Sequence, residues 1–152
     1  MNKTILDVCC GSRMFYYAAN DERLLCNDIR YLDDILCDGR KLTIHPDTEY
    51  DFRDLPFEDD KFYHVVFDPP HLLNVGDNSW LAQKYGKLPN GWRTYIKQGF
   101  GECMRVLKRN GTLVMKWNTR DISLPELLSV VGKPLYGDKG HGNGTYWLIY
   151  VK

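Results

Sequence analysis

No apolar stretch in this sequence approaches the length needed to cross a membrane, and the N-terminus runs into a strand-like segment rather than a signal peptide. Both absences point to a soluble, cytoplasmic protein with no membrane partner. Five cysteines are present (Cys9, Cys10, Cys26, Cys37 and Cys103), an odd number without a Cys-x-x-Cys pair. Three of them sit within or beside apolar runs, which argues for reduced, buried thiols and against a disulfide framework or a zinc site. The four histidines are too scattered to suggest a metal cage. Internal repeats, low-complexity tracts and a domain linker are also missing, so residues 1–152 read as one domain with a single core. A Gly-x-Gly-x-x-Gly loop is lacking as well: Gly11 is the one glycine after the first strand, between Cys9 and Arg13. That excludes the close backbone approach a dinucleotide pyrophosphate needs and favours a ligand without one.

Net charge is zero, but the charges are separated. Residues 1–79 carry 8 Lys/Arg against 16 Asp/Glu, whereas residues 80–120 carry 9 Lys/Arg against Glu102 alone. The basic part suits an anionic partner, unless its charges merely solvate a helix and its loops.

The strand-like runs are residues 4–9, 24–28, 41–44, 62–67 and 112–117. Residues 13–20, 29–38 and 95–107 are helical in spacing. Ser123-Leu124-Pro125-Glu126 is a capping-box start for one more helix, with proline in its first turn. Residues 134–151 form a closing β-hairpin around a glycine-rich turn. This alternation predicts an α/β fold with a mostly parallel sheet, covered on both faces, and a C-terminal antiparallel hairpin.

Asp68-Pro69-Pro70-His71 stands at the end of the apolar run 62–67. Two prolines end the strand, because neither donates an N–H and each pushes its predecessor out of the α region. The product is a stiff turn at the carboxyl edge of the sheet, where open α/β folds put their ligands. It offers a carboxylate, rigid carbonyls and an aromatic ring, a set that suits holding a planar –NH2 group while it attacks. The plainer alternative is a strand-ending loop with a surface acid. Asp28 closes the second strand, placed to accept from ribose hydroxyls or to cap a helix. Asp51, before Leu55-Pro56-Phe57, is placed to meet an adenine amino edge or to lie exposed in a loop. Trp80, Tyr85 and Trp92 among Lys84, Lys87, Arg93 and Lys97 read either as a stacking-and-phosphate surface for a single strand or as packing beneath a long loop. His141, in the glycine-rich turn, is most simply a hairpin residue.

Asp7-x-x-Cys10-Gly11-Ser12 resembles the cofactor loop of class I S-adenosylmethionine (SAM)-dependent methyltransferases, above all those acting on exocyclic amines in nucleic acid. Asp51-x-x-Asp54-Leu55-Pro56-Phe57 followed by Phe62-Tyr63-His64-Val65-Val66 is similar to their third- and fourth-strand region. Asp68-Pro69-Pro70-His71 resembles their (Asp/Asn/Ser)-Pro-Pro-aromatic motif. Arg13 and His71 depart from the pattern, standing where the family has a glycine and a larger aromatic ring.

The resemblance implies a Rossmann-like sandwich and SAM as cofactor, held by Asp7, Cys9, Cys10, Gly11, Ser12, Asp28, Asp51 and Leu55. It implies catalysis at Asp68, Pro69, Pro70 and His71, and a nucleobase partner in DNA or RNA met by Trp80, Lys84, Trp92 and Arg93, with no metal. There is no room for a separate target-recognition domain, so a protein partner would supply recognition. Two other readings share the fold: methylation of a protein amide or small-molecule amine, and a non-catalytic subunit that works through a partner.

Overall fold

The computed structural model describes residues 3–139 and 144–152; His141 lies outside them. Six strands form the main sheet in the order β2-β1-β5-β6-β8-β7. They are β1 (Ile5–Asp7), β2 (Leu24–Cys26), β5 (Phe62–Phe67), β6 (Leu107–Asn118), β7 (Tyr136–Gly137) and β8 (Thr145–Val151). The first four run parallel; β8 inserts antiparallel between β6 and β7. Two further strands, β3 (Leu32–Ile35) and β4 (Lys41–Ile44), make a separate antiparallel hairpin. The helices are α1 (Trp80–Tyr85), α2 (Trp92–Val106) and α3 (Leu124–Val131).

Register separates the side chains of the sheet into two faces. Leu6, Val65 and Leu113 stand in line across β1, β5 and β6, as do Phe67, Met115 and Leu148 across β5, β6 and β8. These six are at most 1% exposed and pack with Ile96, Cys103 and Val106 of α2 and Leu127 and Val131 of α3. Each such burial contributes roughly 1.5–3 kcal/mol. Gly99 lets the helix come this close: a Cβ there would stand 2.3 Å from the Phe52 ring. Ser123 caps α3 through a complete capping box with Glu126, as its spacing predicts.

The opposite face carries Asp7, Val66, Val114 and Ile149 in one row and Lys116 beside Trp147 in the next. This face is covered by turns rather than by a helix. Residues 13–20, read as a helix, form successive turns, and Arg13 has a positive φ of 56°. Tyr16 from these turns donates to Asp7 Oδ2 at 2.8 Å, and Phe15 meets the Trp147 ring edge-on at 5.6 Å. Residues 29–38 are not a helix either. Leu32 and Leu36, with Leu42 and Ile44, form a small cluster of the β3–β4 hairpin that Trp80 joins. The apolar spacing was compatible with both structures, and cross-strand bonds from Thr43 and His45 to Asp33 accompany the hairpin. The run 41–44 therefore pairs outside the main sheet.

Candidate active site

β1 and β5 are neighbours, so the loops at their carboxyl ends face one another. A cavity of about 250 Å³ opens between them, lined by Cys9, Cys10, Gly11 and Ser12, by Asp28 and Ile29, and by Asp68, Pro69, Pro70 and His71. Lys84, Tyr85, Phe52 and Tyr95 complete the wall. The cofactor-loop residues and the Pro-Pro turn, 56 or more positions apart in sequence, thus share one space.

Arg13 closes the first loop. It adopts the left-handed conformation, a strain of roughly 1–3 kcal/mol for a residue other than glycine. Its guanidinium points away from the cavity, donating to Ala19 O at 3.2 Å and His45 O at 3.0 Å. Asp7 supports this loop from beneath. It is fully buried, accepts from the Cys9 N–H at 3.2 Å and from Tyr16, and does not line the cavity. Burial pushes its carboxyl up from 3.8 to about 7.

Asp28 does line the cavity, but its acceptor capacity is filled. Gly11 N–H donates to Oδ2 at 2.9 Å, and Arg30 donates through its backbone N–H and Nε to Oδ1, both at 3.0 Å. Arg30 Nη2 adds a contact to Oδ2 at 3.3 Å, and Nη1 reaches Gln83 O at 3.2 Å. Arg30 therefore ties Asp28 to the carboxyl end of α1; sequence reading had not marked it. A diol at Asp28 must displace part of this guanidinium, since a carboxylate offers about four acceptor sites. Ile29, 60% exposed beside the acid, gives the cavity an apolar wall.

Asp51 and Leu55 are not brought to the cavity. Asp51 pairs with Arg53, which holds its carboxyl below the usual range. Leu55 is 3% exposed in the core, its N–H donated to Glu102 Oε2 at 2.9 Å and its carbonyl held by Arg105. The neighbouring Phe52 occupies the wall instead.

At the Pro-Pro turn, Asp68 receives Lys116 Nζ on Oδ2 at 2.8 Å. Burial raises the Asp68 carboxyl and the Lys116 charge partly offsets it. His71 is held below its ordinary value by burial, so the ring facing the cavity is a neutral imidazole near pH 7. Tyr85, also in the cavity wall, lies 6.1 Å from it at a tilt of 45°, and the buried Trp117 ring meets it edge-on at 6.2 Å from beneath. Asp121 accepts the Leu73 and Asn74 N–H groups at 2.6 and 2.9 Å, fixing the chain as it leaves the Pro-Pro turn. No short motif signals Asp121 or Lys116; strand register puts Lys116 here, and the loop after β6 brings Asp121.

The expected nucleic-acid surface is divided. Lys84 and Tyr85 reach the cavity, with Lys84 Nζ 5.2 Å from the Tyr85 ring. Trp92 does not: it is 5% exposed in the main core and offers no free face for stacking. Arg93 covers the Trp92 ring and pairs with Glu126 at 3.2 Å, away from the cavity. Trp80 packs against the hairpin and takes Arg40 over its ring. Lys87 and Arg105 pair with acids as well. Much of the basic excess therefore neutralises neighbouring carboxylates. Among the described residues no helix is long and apolar enough to cross a membrane, and no group of three or more His, Cys, Asp or Glu side chains is placed to hold a metal.

No family model matches this chain, and no curated protein matches it by sequence. Solved structures do match. A TehB-like SAM-dependent methyltransferase from Corynebacterium glutamicum superimposes with a TM-score of 0.60 at 14% identity, over 99% of this chain and 80% of that one. The PH0226 protein of Pyrococcus horikoshii gives 0.57 at 18% identity, over 99% and 82%. The [4+2]-cyclase SpnF gives 0.55 at 15% identity, over 94% of this chain and 55% of that one. The fold is the Rossmann-like α/β fold of SAM-dependent methyltransferases, with a mostly parallel sheet closed by an antiparallel strand pair. A cyclase among the neighbours shows that this fold alone does not fix the reaction.

Proposed function

We propose that the chain is a SAM-dependent N-methyltransferase whose acceptor is an exocyclic amine, first of all that of a nucleobase in DNA or RNA. The observation that carries this reading is the shared cavity: the Asp7-to-Ser12 loop with Asp28 on one side, Asp68-Pro69-Pro70-His71 on the other. The residues present fit the cofactor. Gly11, Ser12 and Cys10 would flank its amino-acid portion, Asp28 its ribose and Ile29 with Phe52 its adenine. Bound SAM supplies a methyl group already activated by its sulfonium, so the chain's work is positioning and electrostatics.

An exocyclic amine is a weak nucleophile because its lone pair is delocalised into the ring. Asp68 and the Pro69 carbonyl would accept its two hydrogens and favour a pyramidal nitrogen. The neutral His71 ring would stack on the acceptor, with Tyr85 beyond it. A paired base would have to leave its stack to enter this cavity, so a single strand is the simpler substrate. The reading treats residues 1–152 as one catalytic domain without its own target-recognition domain, a role left to a protein partner.

Incubation with radiolabelled SAM and single- or double-stranded DNA and RNA tests it. Label should pass to the single-stranded polymers and vanish with Asp68→Ala. Transfer undiminished in that variant would contradict the role given to Asp68. A second reading, an amide acceptor in a protein, draws on the diversion of Trp92 and Arg93 from the cavity; label passing to protein alone would favour it.

A further inference from the structure

We infer that Lys116 and Asp68 act as one recognition pair that selects a neutral amide- or amidine-type edge, in which an –NH2 group stands beside an unprotonated nitrogen or a carbonyl oxygen. The inference deepens the reading above and rests on its placing of the acceptor at Asp68. Phe67 and Met115 are register partners on the parallel strands β5 and β6, which brings the next residues of each strand side by side. The resulting bond, Lys116 Nζ to Asp68 Oδ2 at 2.8 Å, leaves Oδ1 without a protein donor among the described residues. Lys116 has three N–H donors, and among the described residues one is used.

The rest of its ammonium is held by aromatic faces rather than acceptors: Nζ lies 5.4 Å from the Phe15 ring and 5.8 Å from the Trp147 ring. Cation–π contacts of this kind fix a charge without consuming its hydrogens. Asp68 and Phe15 both line the cavity, and the Lys116 side chain keeps 22% of its surface exposed. Among the described residues a carboxylate oxygen without a donor thus stands at this end of the cavity, with the Lys116 ammonium directly behind it rather than in the lining.

The pairing has two consequences. An acceptor of the form –N=C–NH2 or O=C–NH2 satisfies both partners at once, its amine donating to Asp68 and its neighbouring atom accepting from Lys116. Adenine, cytosine and a carboxamide all present that edge. An alkylamine, cationic at neutral pH, meets the opposite situation. The charge of Asp68 is already neutralised, and a second ammonium must sit beside Lys116 in a partly desolvated site, where like charges are costly. Discrimination therefore falls between neutral planar nitrogen acceptors and cationic amines, not among the former.

Benzamide and benzylamine are minimal probes of similar size, one neutral with the amide edge and one cationic without it. Each is titrated by NMR into the protein saturated with S-adenosylhomocysteine, and again without it, for wild type, Lys116→Met and Lys116→Arg. Wild type should bind benzamide roughly tenfold or more tightly than benzylamine, about the value of one charge-assisted hydrogen bond. Lys116→Met, which leaves the Asp68 charge unpaired, should reverse that order. Lys116→Arg should restore it. An unchanged order in Lys116→Met, or binding of neither probe by wild type, would overturn the inference. Should S-adenosylhomocysteine fail to bind while the probes still sort as stated, the cofactor reading falls and the recognition pair stands.

Discussion

The two faces of the sheet do different work. The face under α2 and α3 is closed by apolar side chains such as Leu6, Val65, Phe67 and Leu113, and carries stability. The face turned to residues 13–20 holds Asp7, Lys116 and Trp147, covered by turns and a few aromatic rings rather than by helices. Polar and titratable groups are tolerable there because each is paired: Asp7 with Tyr16 and the Cys9 N–H, Lys116 with Asp68. The contrast teaches that this fold concentrates its packing on one side of the strands, leaving the other to present charge at the carboxyl edge.

Two tryptophans sharpen the comparison most strongly. Trp92→Ala, on the closed face, should cost about 3–5 kcal/mol in chemical denaturation, since it empties a site 5% exposed in the core. Trp147→Ala, on the other face, should cost clearly less while disturbing the Lys116 environment. Equal costs would break the distinction. Next in size, Asp68→Ala should lower methyl transfer by roughly 10²–10³-fold with SAM affinity nearly unchanged, because it removes an acceptor of the reacting amine alone. Parallel loss of affinity, read by calorimetry, would place Asp68 on the cofactor instead.

Gly99→Ala should destabilise by about 1–3 kcal/mol, its new methyl meeting the Phe52 ring at 2.3 Å. A neutral result would mean that the closed face repacks freely. The remaining effect concerns Asp7 and depends on pH. An unfolded chain releases this proton near 3.8, whereas the folded one keeps it to about 7, so stability falls as pH rises through that window and levels above it. Asp7→Asn removes that loss. Its Tm relative to wild type should be higher at pH 8 than at pH 4; a constant difference would mean that Asp7 is ionised throughout.

The closed face and its helices are the legible part of the sequence. The run 62–67, the Ser123 capping box and the helical spacing of 95–107 each have a local cause and appear where expected, with α2 starting three residues earlier at Trp92. Residues 72–94, read as irregular, also contain α1, a helix of six residues with none buried. Residues 13–20 and 29–38 were misread because a few apolar positions at helical spacing fit turns or a hairpin equally well. Among the proposed site residues, Gly11, Asp28, Asp68 and His71 follow from strand ends and turn chemistry and do share the cavity. Lys116 stands near the end of the expected run 112–117, on the same edge as Asp68, but its bond to that acid follows from register alone. Arg30 and Asp121 reach Gln83 and the chain after the Pro-Pro turn by loop approaches that no local pattern encodes. Leu55 and Trp92 lie in the core instead, because apolar and aromatic residues beside a motif fill a core as readily as they meet a ligand.

Calorimetric titration with SAM, with NAD as the control, of wild type and Asp28→Ala tests the central proposal most directly. Saturable SAM binding by wild type, no NAD binding and an affinity lowered roughly tenfold or more in Asp28→Ala are the expected results. A folded wild-type protein that binds no SAM, or binds NAD equally well, would contradict the proposal for the isolated chain.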